Sequence, residues 1–420
     1  MAQRPVRVTI VGINFAPEPT GIAPYTTGLA TALASRGHNI LVLTGHPHYP
    51  YWKRAEGSWQ FRSEEDIDGV RVRRLRHRIP QQLSWVARAA MEISFGLQVI
   101  STGWRRPDVV ICITPPLLAI AMTMVRARAT FRRPAVGIVV QDLYATGIAE
   151  TGAASGLTAH AVRLVESVTM RLADGISVIH AGFAKSVVEQ LDVAPERIRE
   201  IRNWNHVGQP DESASEAFRI AHGWAADEVV ILHAGNLGYK QGLENVLAAA
   251  RLADRGSRRV RFVLLGDGNR RESLQAAAAG ISSVDFLAPV DDDQFPAALG
   301  AADILLVNEL PGVAQMSVPS KLTSYFNAGR PILAAVDAAG FTATELSASG
   351  AGLSVPADRP DLLLSEAIRL ADDQELSKQL SEAGRRYCEK LLTQEAALDR
   401  YERWVIDLAD LRRTGSESDS

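Results

Sequence analysis

Residues 318–331 read VPSKLTSYFNAGRP, and the apolar run Ile332–Val336 follows them. Pro319 suits the first turn of a helix, where its missing N–H would have no partner in any case. Gly329 can end that helix in the left-handed conformation, and Pro331 prevents its continuation. The short apolar run predicts a buried strand. The stretch therefore predicts a helix followed by a strand, one unit of an α/β fold.

The start of this predicted helix has a chemical implication. Free backbone N–H groups and the helix dipole favour an anion at a helix N-terminus. Ser320 and Lys321 would lie there, and the lysine adds a positive charge. The segment is a candidate seat for a phosphorylated ligand. An ordinary helix–strand unit without a ligand is the alternative, and both interpretations remain open at this point.

The same alternation extends over most of the chain, in two series. It predicts two parallel sheets covered by helices, hence two Rossmann-like, doubly wound α/β domains. A polar segment at 210–216 is predicted to connect them. We expect an N-terminal domain at 1–205, a C-terminal domain at 206–393, a last helix at 394–413 that packs back on the first domain, and a disordered tail at 414–420. Strands are predicted at 7–14, 40–44, 70–75, 109–113, 135–140 and 176–179, then at 229–233, 261–265, 284–287, 304–307 and 332–336.

Composition narrows the setting. The chain has 420 residues, and its two cysteines, Cys112 and Cys388, have no metal or redox spacing. This favours a reducing, cytoplasmic location. We expect no signal peptide, because the N-terminus runs directly into a strand. The longest apolar stretch, 111–125, contains two prolines and is too short to span a bilayer.

Charge is distributed unevenly. Residues 1–200 hold 23 Lys and Arg against 16 Asp and Glu, whereas the remainder holds 22 against 32. The basic half predicts contact with an anionic partner such as a membrane surface; a solvated strand edge and solvated helix ends are the alternative. Nucleic acid is not expected, since the basic runs lack interleaved aromatics and a binding motif. The candidate residues are Arg71, Arg73, Arg74, Arg76, Arg78, Arg105, Arg106, Arg126, Arg128, Arg132 and Arg133.

Two glycine-bearing loops follow strands in the second half. In residues 235–242, GNLGYKQG, Gly235 and Gly238 let the backbone approach a ligand closely, and Lys240 can reach phosphate oxygens. Such groups stabilise the charge of a departing phosphate. A glycine-rich turn with a solvated lysine is the alternative. Residues 266–268, GDG, lack the third glycine of a dinucleotide fingerprint, because Arg271 occupies its place, which argues against nicotinamide binding.

Together these elements resemble glycosyltransferase family 4, whose GT-B fold has two Rossmann-like domains facing each other across a cleft. Within it they most resemble the WcaI-like colanic acid biosynthesis enzymes. The resemblance covers nearly the whole chain. Its matching pieces are residues 12–22, 36–38, 47–50, 141–142, 203–204, 235–246 and 318–323.

The resemblance implies that the second domain binds a nucleotide sugar and the first domain the acceptor. Lys240 would contact the diphosphate, and Gly21 would abut it from the first domain. Relatives retain anomeric configuration and need neither a metal nor a cofactor. The implied donor-binding set is Gly21, Gly235, Asn236, Lys240, Gly266, Gly268, Val290, Ser320, Lys321, Leu322 and Ser324.

The chain departs from the family at three positions. The family commonly has two glutamates eight residues apart, and the spacing to Gly329 places Met316 and Ser324 there. The family's common arginine before the diphosphate lysine is Asn236. We therefore predict a variant donor site, in which Lys240 makes more of the contact with the diphosphate and neither Met316 nor Ser324 offers a carboxylate to the sugar.

Other residues are candidates on the acceptor side. His46, His48 and Tyr49 lie in a loop after a strand, and we favour acceptor contacts over metal ligation, since no convergent carboxylate is evident. Asp142 lies at the end of a buried strand. It is a candidate acceptor-site group or general base, and an N-cap for the following segment is the alternative. Aromatic side chains can stack on sugar or pack in the core; these are Tyr25, Tyr49, Trp52 and Trp59.

The sequence thus predicts a cytoplasmic glycosyltransferase, peripheral at the inner membrane face. It would move a sugar from a nucleotide diphosphate sugar to a glycan or a polyprenyl-diphosphate-linked acceptor in cell-surface polysaccharide synthesis. A sugar-nucleotide epimerase of the same fold and a non-catalytic nucleotide-sugar-binding subunit are the alternatives.

Overall fold

The computed structural model describes residues 4–19, 21–49, 52–53, 60–80, 84–144, 156–312 and 320–417. The chain divides into two compact units. The first unit contains Met1–Asn203 and Gln394–Ser420, and the second contains Trp204–Thr393.

In the described part of the first unit, one sheet has the strand order β3-β4-β2-β1-β5-β6-β7-β8. Neighbouring strands are parallel, except that β3 pairs with β4 in antiparallel fashion. The central strands are continuous apolar runs, as expected for a sheet covered on both faces. The strands are β1 (Arg7–Val11), β2 (Asn39–Gly45), β3 (Arg62–Ile67), β4 (Val70–Leu75), β5 (Val109–Ile113), β6 (Ala135–Val140), β7 (Gly175–Val178) and β8 (Ile198–Glu200).

Helices connect these strands. α2 packs against α3, α3 against α4, and α4 against α5, so these four form one layer. α1 contacts α14, the last helix of the chain. They are α1 (Ala23–Ser35), α2 (Trp85–Ser101), α3 (Leu117–Ala129), α4 (Leu157–Leu172), α5 (Ala181–Leu191) and α14 (Gln394–Glu417).

The last helix packs on the first sheet at two glycines. A Cβ at Gly137 would lie 2.7 Å from Cη2 of Trp404, and a Cβ at Gly175 would lie 3.0 Å from its Nε1. Absent side chains on β6 and β7 therefore create the space that the indole fills. Arg36 of α1 adds ion pairs to Asp399 and Glu402. The helix continues to Glu417, where the sequence predicted a disordered tail from Thr414.

In the second unit, a parallel sheet has the order β11-β10-β9-β12-β13-β14. Its strands are β9 (Val229–Ala234), β10 (Val260–Leu265), β11 (Val284–Leu287), β12 (Ile304–Asn308), β13 (Ile332–Val336) and β14 (Gly352–Pro356). Its helices are α6 (Glu212–Ala221), α7 (Glu244–Ala253), α8 (Arg271–Ala277), α9 (Phe295–Ala301), α10 (Lys321–Ala328), α11 (Phe341–Ser349), α12 (Pro360–Asp372) and α13 (Gln374–Leu391).

The segment predicted to connect the domains, 210–216, is instead largely helical. Asp211 caps α6, because its carboxylate accepts a hydrogen bond of 2.9 Å from the amide of Ala214. The helix packs on α9, where a Cβ at Gly300 would lie 2.3 Å from Oγ of Ser215. The segment 210–216 is polar because it contains the N-cap and the solvated face of α6, and not because it is a linker. Also unpredicted were β3, β8, α11 and β14.

Candidate functional site

The candidate donor site lies in the second unit, at the carboxyl ends of its central strands. Parallel strands bring these ends to one edge of the sheet, where α/β folds bind ligands. Residues 235–242 follow β9, residues 266–270 follow β10, residues 309–310 follow β12, and α10 precedes β13. The predicted glycine loops and the predicted helix start are thus on neighbouring elements.

The two glycine loops are in main-chain contact. Leu237 donates from its amide to the carbonyl of Asp267 at 2.8 Å. Gly266 has a φ of +139°, and a Cβ there would lie 1.9 Å from the carbonyl oxygen of Gly235. A Cβ at Gly268 would lie 2.5 Å from the carbonyl oxygen of Leu237. Only glycine fits at position 266, so this contact fixes the relative position of the loops.

The side chain of Asn236, in the first of these loops, lies against the second loop. A Cβ at Gly238 would be 2.7 Å from its Nδ2, and a Cβ at Gly268 would be 2.6 Å from its Oδ1. The amide therefore fills the space left by two glycines. Arg271, which occupies the place of the third fingerprint glycine, donates to the carbonyls of Gly266 and Leu287.

Lys240 lies in a short 3₁₀ turn, Tyr239–Gln241, and its side chain is partly exposed. The turn is tied to β12. The carbonyl of Lys240 accepts a hydrogen bond of 2.8 Å from the amide of Leu310. Asn308 donates through Nδ2 to the carbonyl of Gln241 at 2.7 Å and accepts through Oδ1 from Asn245 of α7 at 2.8 Å. Neutral amide side chains thus hold the loop that carries the lysine.

Lys321 begins α10 and extends to β9. Its Nζ lies 2.9 Å from Nε2 of His233, and a Cβ at Gly235 would lie 3.4 Å from Nζ. Burial lowers the pKa of Lys321 to about 7, against the opposing effect of Glu309. Burial, and then the charge of Lys321, lowers the pKa of His233. The ammonium can therefore donate to a neutral imidazole.

Glu309, which follows β12, is a carboxylate that the sequence reasoning missed. Its Oε1 accepts a hydrogen bond of 2.6 Å from Oγ1 of Thr342 in α11. Its charge favours the protonated form of Lys321. The available signal was its position, directly after a buried strand of a parallel sheet. The site thus has a carboxylate near the lysine, although not at either family position.

The other predicted donor residues have distinct surroundings. Ser320 directly precedes α10, Leu322 is buried in the core, and Val290 packs against that core. Ser324 is buried and donates from Oγ to the carbonyl of Lys321 at 2.9 Å. Its hydroxyl therefore serves its own helix. Met316 and Pro319 lie outside the described residues.

In the first unit, a buried carboxylate organises the loop edge. Glu18 accepts through Oε1 from the amides of His48 and Tyr49, at 2.8 and 2.9 Å. Its Oε2 accepts from Nδ2 of Asn14 at 2.8 Å. This ties the loop after β1 to the loop after β2. Sequence reasoning missed Glu18; its place in the loop directly after β1 was the signal.

Gly21 and Tyr49 are adjacent. Gly21 has a φ of +70°, and a Cβ there would lie 3.2 Å from Cε1 of Tyr49. Burial raises the pKa of Tyr49, and the negative charges of Asp142 and Glu18 raise it further. Asp142 follows β6, and its amide and carbonyl both bond to Oγ1 of Thr114. The structure thus brings together predicted residues from three loops of this unit.

Three predicted acceptor residues are buried. Tyr25 is 3% exposed within α1, which favours the core-packing alternative. Nε2 of His46 lies 3.1 Å from the carbonyl oxygen of Gln60. Burial lowers the pKa of His48, and its ring packs edge-on against His77. Trp59 lies outside the described residues.

Neither a metal cluster nor a membrane span is found in the part of the chain that the structure describes. No three His, Cys, Asp or Glu side chains there are grouped so as to hold a metal ion. No helix within those residues combines the length and the apolar character needed to cross a bilayer.

Comparison with known families assigns both units. Residues 20–204 match the glycosyl transferase 4-like domain, and residues 214–387 match the glycosyl transferases group 1. WcaI of Escherichia coli (strain K12), named as a colanic acid biosynthesis glycosyl transferase, is 29% identical over 340 residues, covering 77% of this chain and 82% of WcaI. The chain belongs to the GT4-like glycosyltransferases. The sequence-based prediction of family and enzyme class is therefore confirmed.

Solved structures agree on the fold of this glycosyltransferase. Sucrose-phosphate synthase from Thermosynechococcus elongatus aligns with a TM-score of 0.76 at 16% identity, covering 96% of this chain and 99% of that one. HepE of Anabaena, solved in complex with UDP, aligns with a TM-score of 0.71 at 14% identity, covering 96% and 100%. At these identities the likeness concerns the fold, and it confirms the predicted GT-B class.

Proposed function

We propose that this glycosyltransferase moves a sugar from a nucleotide diphosphate sugar to a glycan or a polyprenyl-diphosphate-linked acceptor, in cell-surface polysaccharide synthesis. The observation that carries the proposal is the arrangement at one sheet edge of the second unit. Two glycine loops in main-chain contact lie beside a loop lysine, Lys240, and a helix-start lysine, Lys321. The complex of HepE with UDP and the colanic acid assignment of WcaI support the same substrate classes.

The second unit would bind the donor. Gly235, Gly266 and Gly268 let the two loops and Lys321 pack closely, and the main chain of these loops would line the diphosphate. Lys240 would bind the diphosphate as a point charge, and first-turn amides of α10 would add donors. As the bond between the anomeric carbon and the phosphate oxygen breaks, negative charge grows on the leaving nucleoside diphosphate. Lys240 would stabilise that charge.

The first unit would bind the acceptor. Tyr49 and Asp142 are the candidates, because they lie near each other at strand ends. Asp142 would accept a hydrogen bond from the attacking hydroxyl and take up its proton. We further propose that the reaction retains anomeric configuration, that no metal ion takes part, and that the basic N-terminal half contacts a membrane surface.

Donor binding provides the first test. A thermal-shift screen with UDP, GDP and dTDP should show stabilisation by one of them, since a ligand that binds only the native state raises stability. The fitting donor sugar should then release nucleoside diphosphate only when a lipid-linked or glycan acceptor is present. Turnover without any acceptor would instead support an epimerase, and binding without turnover would support the non-catalytic alternative.

The role of Lys240 has its own variant. Lys240→Ala should lower turnover by about 100-fold or more while the fold stays intact. Lys378→Ala, an exposed lysine of α13 in the same unit, is the matched control and should leave turnover unchanged. Equal turnover in wild type and Lys240→Ala would exclude the proposed role of that lysine.

A further inference from the structure

The outer surface of the helix layer α2–α3–α4 is unusually apolar. Of the fifteen exposed large hydrophobic side chains among the described residues, ten lie between Trp85 and Leu172. We call the outer surface of these three helices, with the turn after α3, the α2–α4 face. Its exposed members are Trp85, Val86, Ile93, Leu97, Val125, Phe131, Leu157, Leu164, Val168 and Leu172.

These residues form helical stripes rather than scattered positions. On α4, Leu157, Leu164, Val168 and Leu172 follow one another at spacings of seven, four and four residues, which places them on one side of the helix. On α2, Val86, Ile93 and Leu97 repeat at spacings of seven and four. The opposite sides of both helices are buried: on α2 that side includes Met91, Phe95 and Val99, and on α4 it consists of Glu166, Thr169 and Met170. The stripe side of each helix is exposed in the part of the first unit that the structure describes.

The neighbouring helix α5 shows that the fold does not require an apolar outer surface on this layer. α5 packs in the same layer next to α4. Its outward residues include Lys185, Glu189 and Gln190, all exposed. A solvated amphipathic helix normally has such a polar outer side. The apolar outer surface is therefore specific to α2, α3 and α4.

The charge of the face selects its partner. The acidic residues of the three helices are Glu92 and Glu166, and each is 1% exposed. α3 has no acidic residue. The face is thus positively charged as well as apolar. Arg128 and Arg171 are paired with Asp174 and Asp192. The exposed arginines of the connecting turns are Arg105, Arg106, Arg132 and Arg133.

The other basic stretch of the first unit is partly neutralised. On β4, Arg73 pairs with Glu64 and Arg74 pairs with Glu65, both on the adjacent strand β3. Among the residues that the structure describes, no such acidic strand covers the exposed pair Arg132 and Arg133 in the turn after α3. Arg132 and Arg133 therefore place exposed positive charge beside the apolar stripes.

We propose that the α2–α4 face docks on an anionic lipid bilayer, with its apolar stripes in the interface and its arginines among the headgroups. Apolar area and basic charge together are what such binding requires. A symmetric dimer through this face would bring the arginines of two copies together, which is unfavourable. The inference rests on the proposed membrane contact and assigns that contact to one surface.

Vesicle co-sedimentation of the full chain tests the inference. Wild type should bind vesicles of phosphatidylcholine mixed with phosphatidylglycerol, bind phosphatidylcholine alone more weakly, and lose affinity as salt rises. The double variant Val125→Gln with Leu164→Gln should bind the mixed vesicles about tenfold or more weakly. The double variant Arg132→Gln with Arg133→Gln should lose about tenfold.

Matched controls come from the second unit. Ile220 and Leu391 are 70% and 43% exposed, against 69% and 62% for Val125 and Leu164. Ile220→Gln with Leu391→Gln, and Arg258→Gln with Arg259→Gln, should bind like wild type. Wild type that stays in the supernatant at low salt would overturn the inference, as would face variants that bind as tightly as wild type.

Two further readouts separate the alternatives. Nucleotide-induced stabilisation should be the same in wild type and in the face variants, so lost vesicle binding with intact nucleotide binding concerns the face alone. If vesicle binding follows the predictions but no nucleotide stabilises the protein, the proposed function is contradicted. The assignment of the α2–α4 face as the membrane surface then still holds. Self-association in ultracentrifugation that the face variants abolish, without vesicle binding by wild type, would make the face a protein interface and overturn the inference.

Discussion

Lys321 and His233 form a partly buried nitrogen–nitrogen pair, with Nζ of the lysine 2.9 Å from Nε2 of the imidazole. The lysine comes from the first residue of α10 and the histidine from β9, so the pair joins two elements of the candidate donor site. A partly buried ammonium next to a neutral imidazole is costly, and the charge of Glu309 offsets that cost only in part, because the pKa of Lys321 is still lowered. The pair therefore couples the charge of the site to its ligand.

Donor affinity should depend on pH through Lys321. Burial lowers the pKa of this lysine to about 7, so the ammonium is present below that pH and lost above it. An anionic diphosphate favours the protonated lysine. Affinity for the fitting nucleotide sugar should thus fall as the pH rises from 6 to about 8.5 in titration calorimetry. Lys321→Met should bind weakly with a flat profile; the same slope in both proteins would contradict this prediction.

Removing Lys321 should stabilise the unliganded protein. The pKa of the lysine is about 7 when folded against 10.5 when unfolded, so the unfolded state binds more protons between these values. The free energy of unfolding of wild type should therefore rise across this range. Lys321→Met should be more stable by about 1–4 kcal/mol at pH 7, with the gap closing toward pH 10. Urea unfolding at pH 7 and pH 10 measures this difference in the free energy of unfolding. A Lys321→Met variant less stable than wild type at pH 7 would contradict the prediction.

Gly266→Ala should be destabilising and should abolish nucleotide binding. The added Cβ would lie 1.9 Å from the carbonyl oxygen of Gly235, so one of the two loops must move. We expect a loss of about 2–4 kcal/mol in urea unfolding and no nucleotide-induced thermal shift. Gly280→Ala is the matched control, because Gly280 also has a positive φ but nothing within 4 Å. Gly280→Ala should lower the free energy of unfolding by about 1 kcal/mol and keep the nucleotide-induced thermal shift.

Local signals were sufficient for much of this molecule. The sequence predicted α10 and its end at Gly329, which has a φ of +63°, because a glycine followed by proline is a local rule. It did not predict that Lys321 turns toward β9, since that direction depends on space beneath Gly235 and on burial of His233. α6 was missed because its helical pattern is polar on one side and its packing partner, α9, is distant in sequence.

Glu18→Gln should impair the acceptor side alone. One carboxylate oxygen of Glu18 accepts two backbone amides, and the other accepts from Asn14. A glutamine amide presents one acceptor oxygen and one NH₂ group, so it loses an interaction. We expect about 1–3 kcal/mol lower stability and a raised KM for acceptor.

The donor KM provides the contrast for Glu18→Gln and should stay unchanged. The control is Glu64→Gln, which breaks an exposed ion pair with Arg73 and should cost no more than about 0.5 kcal/mol. A raised donor KM in Glu18→Gln, or an unchanged acceptor KM, would contradict a role confined to the acceptor loops.

The position of α14 determines the order in which the protein can be completed during synthesis. The indole of Trp404 fills the space at Gly137 and Gly175, and it is synthesised only after the whole of Trp204–Thr393. The second unit is continuous in sequence and can finish folding while the nascent chain is still attached. The first unit is therefore completed after the second, and the sheet surface at Gly137 and Gly175 stays uncovered until α14 has been synthesised.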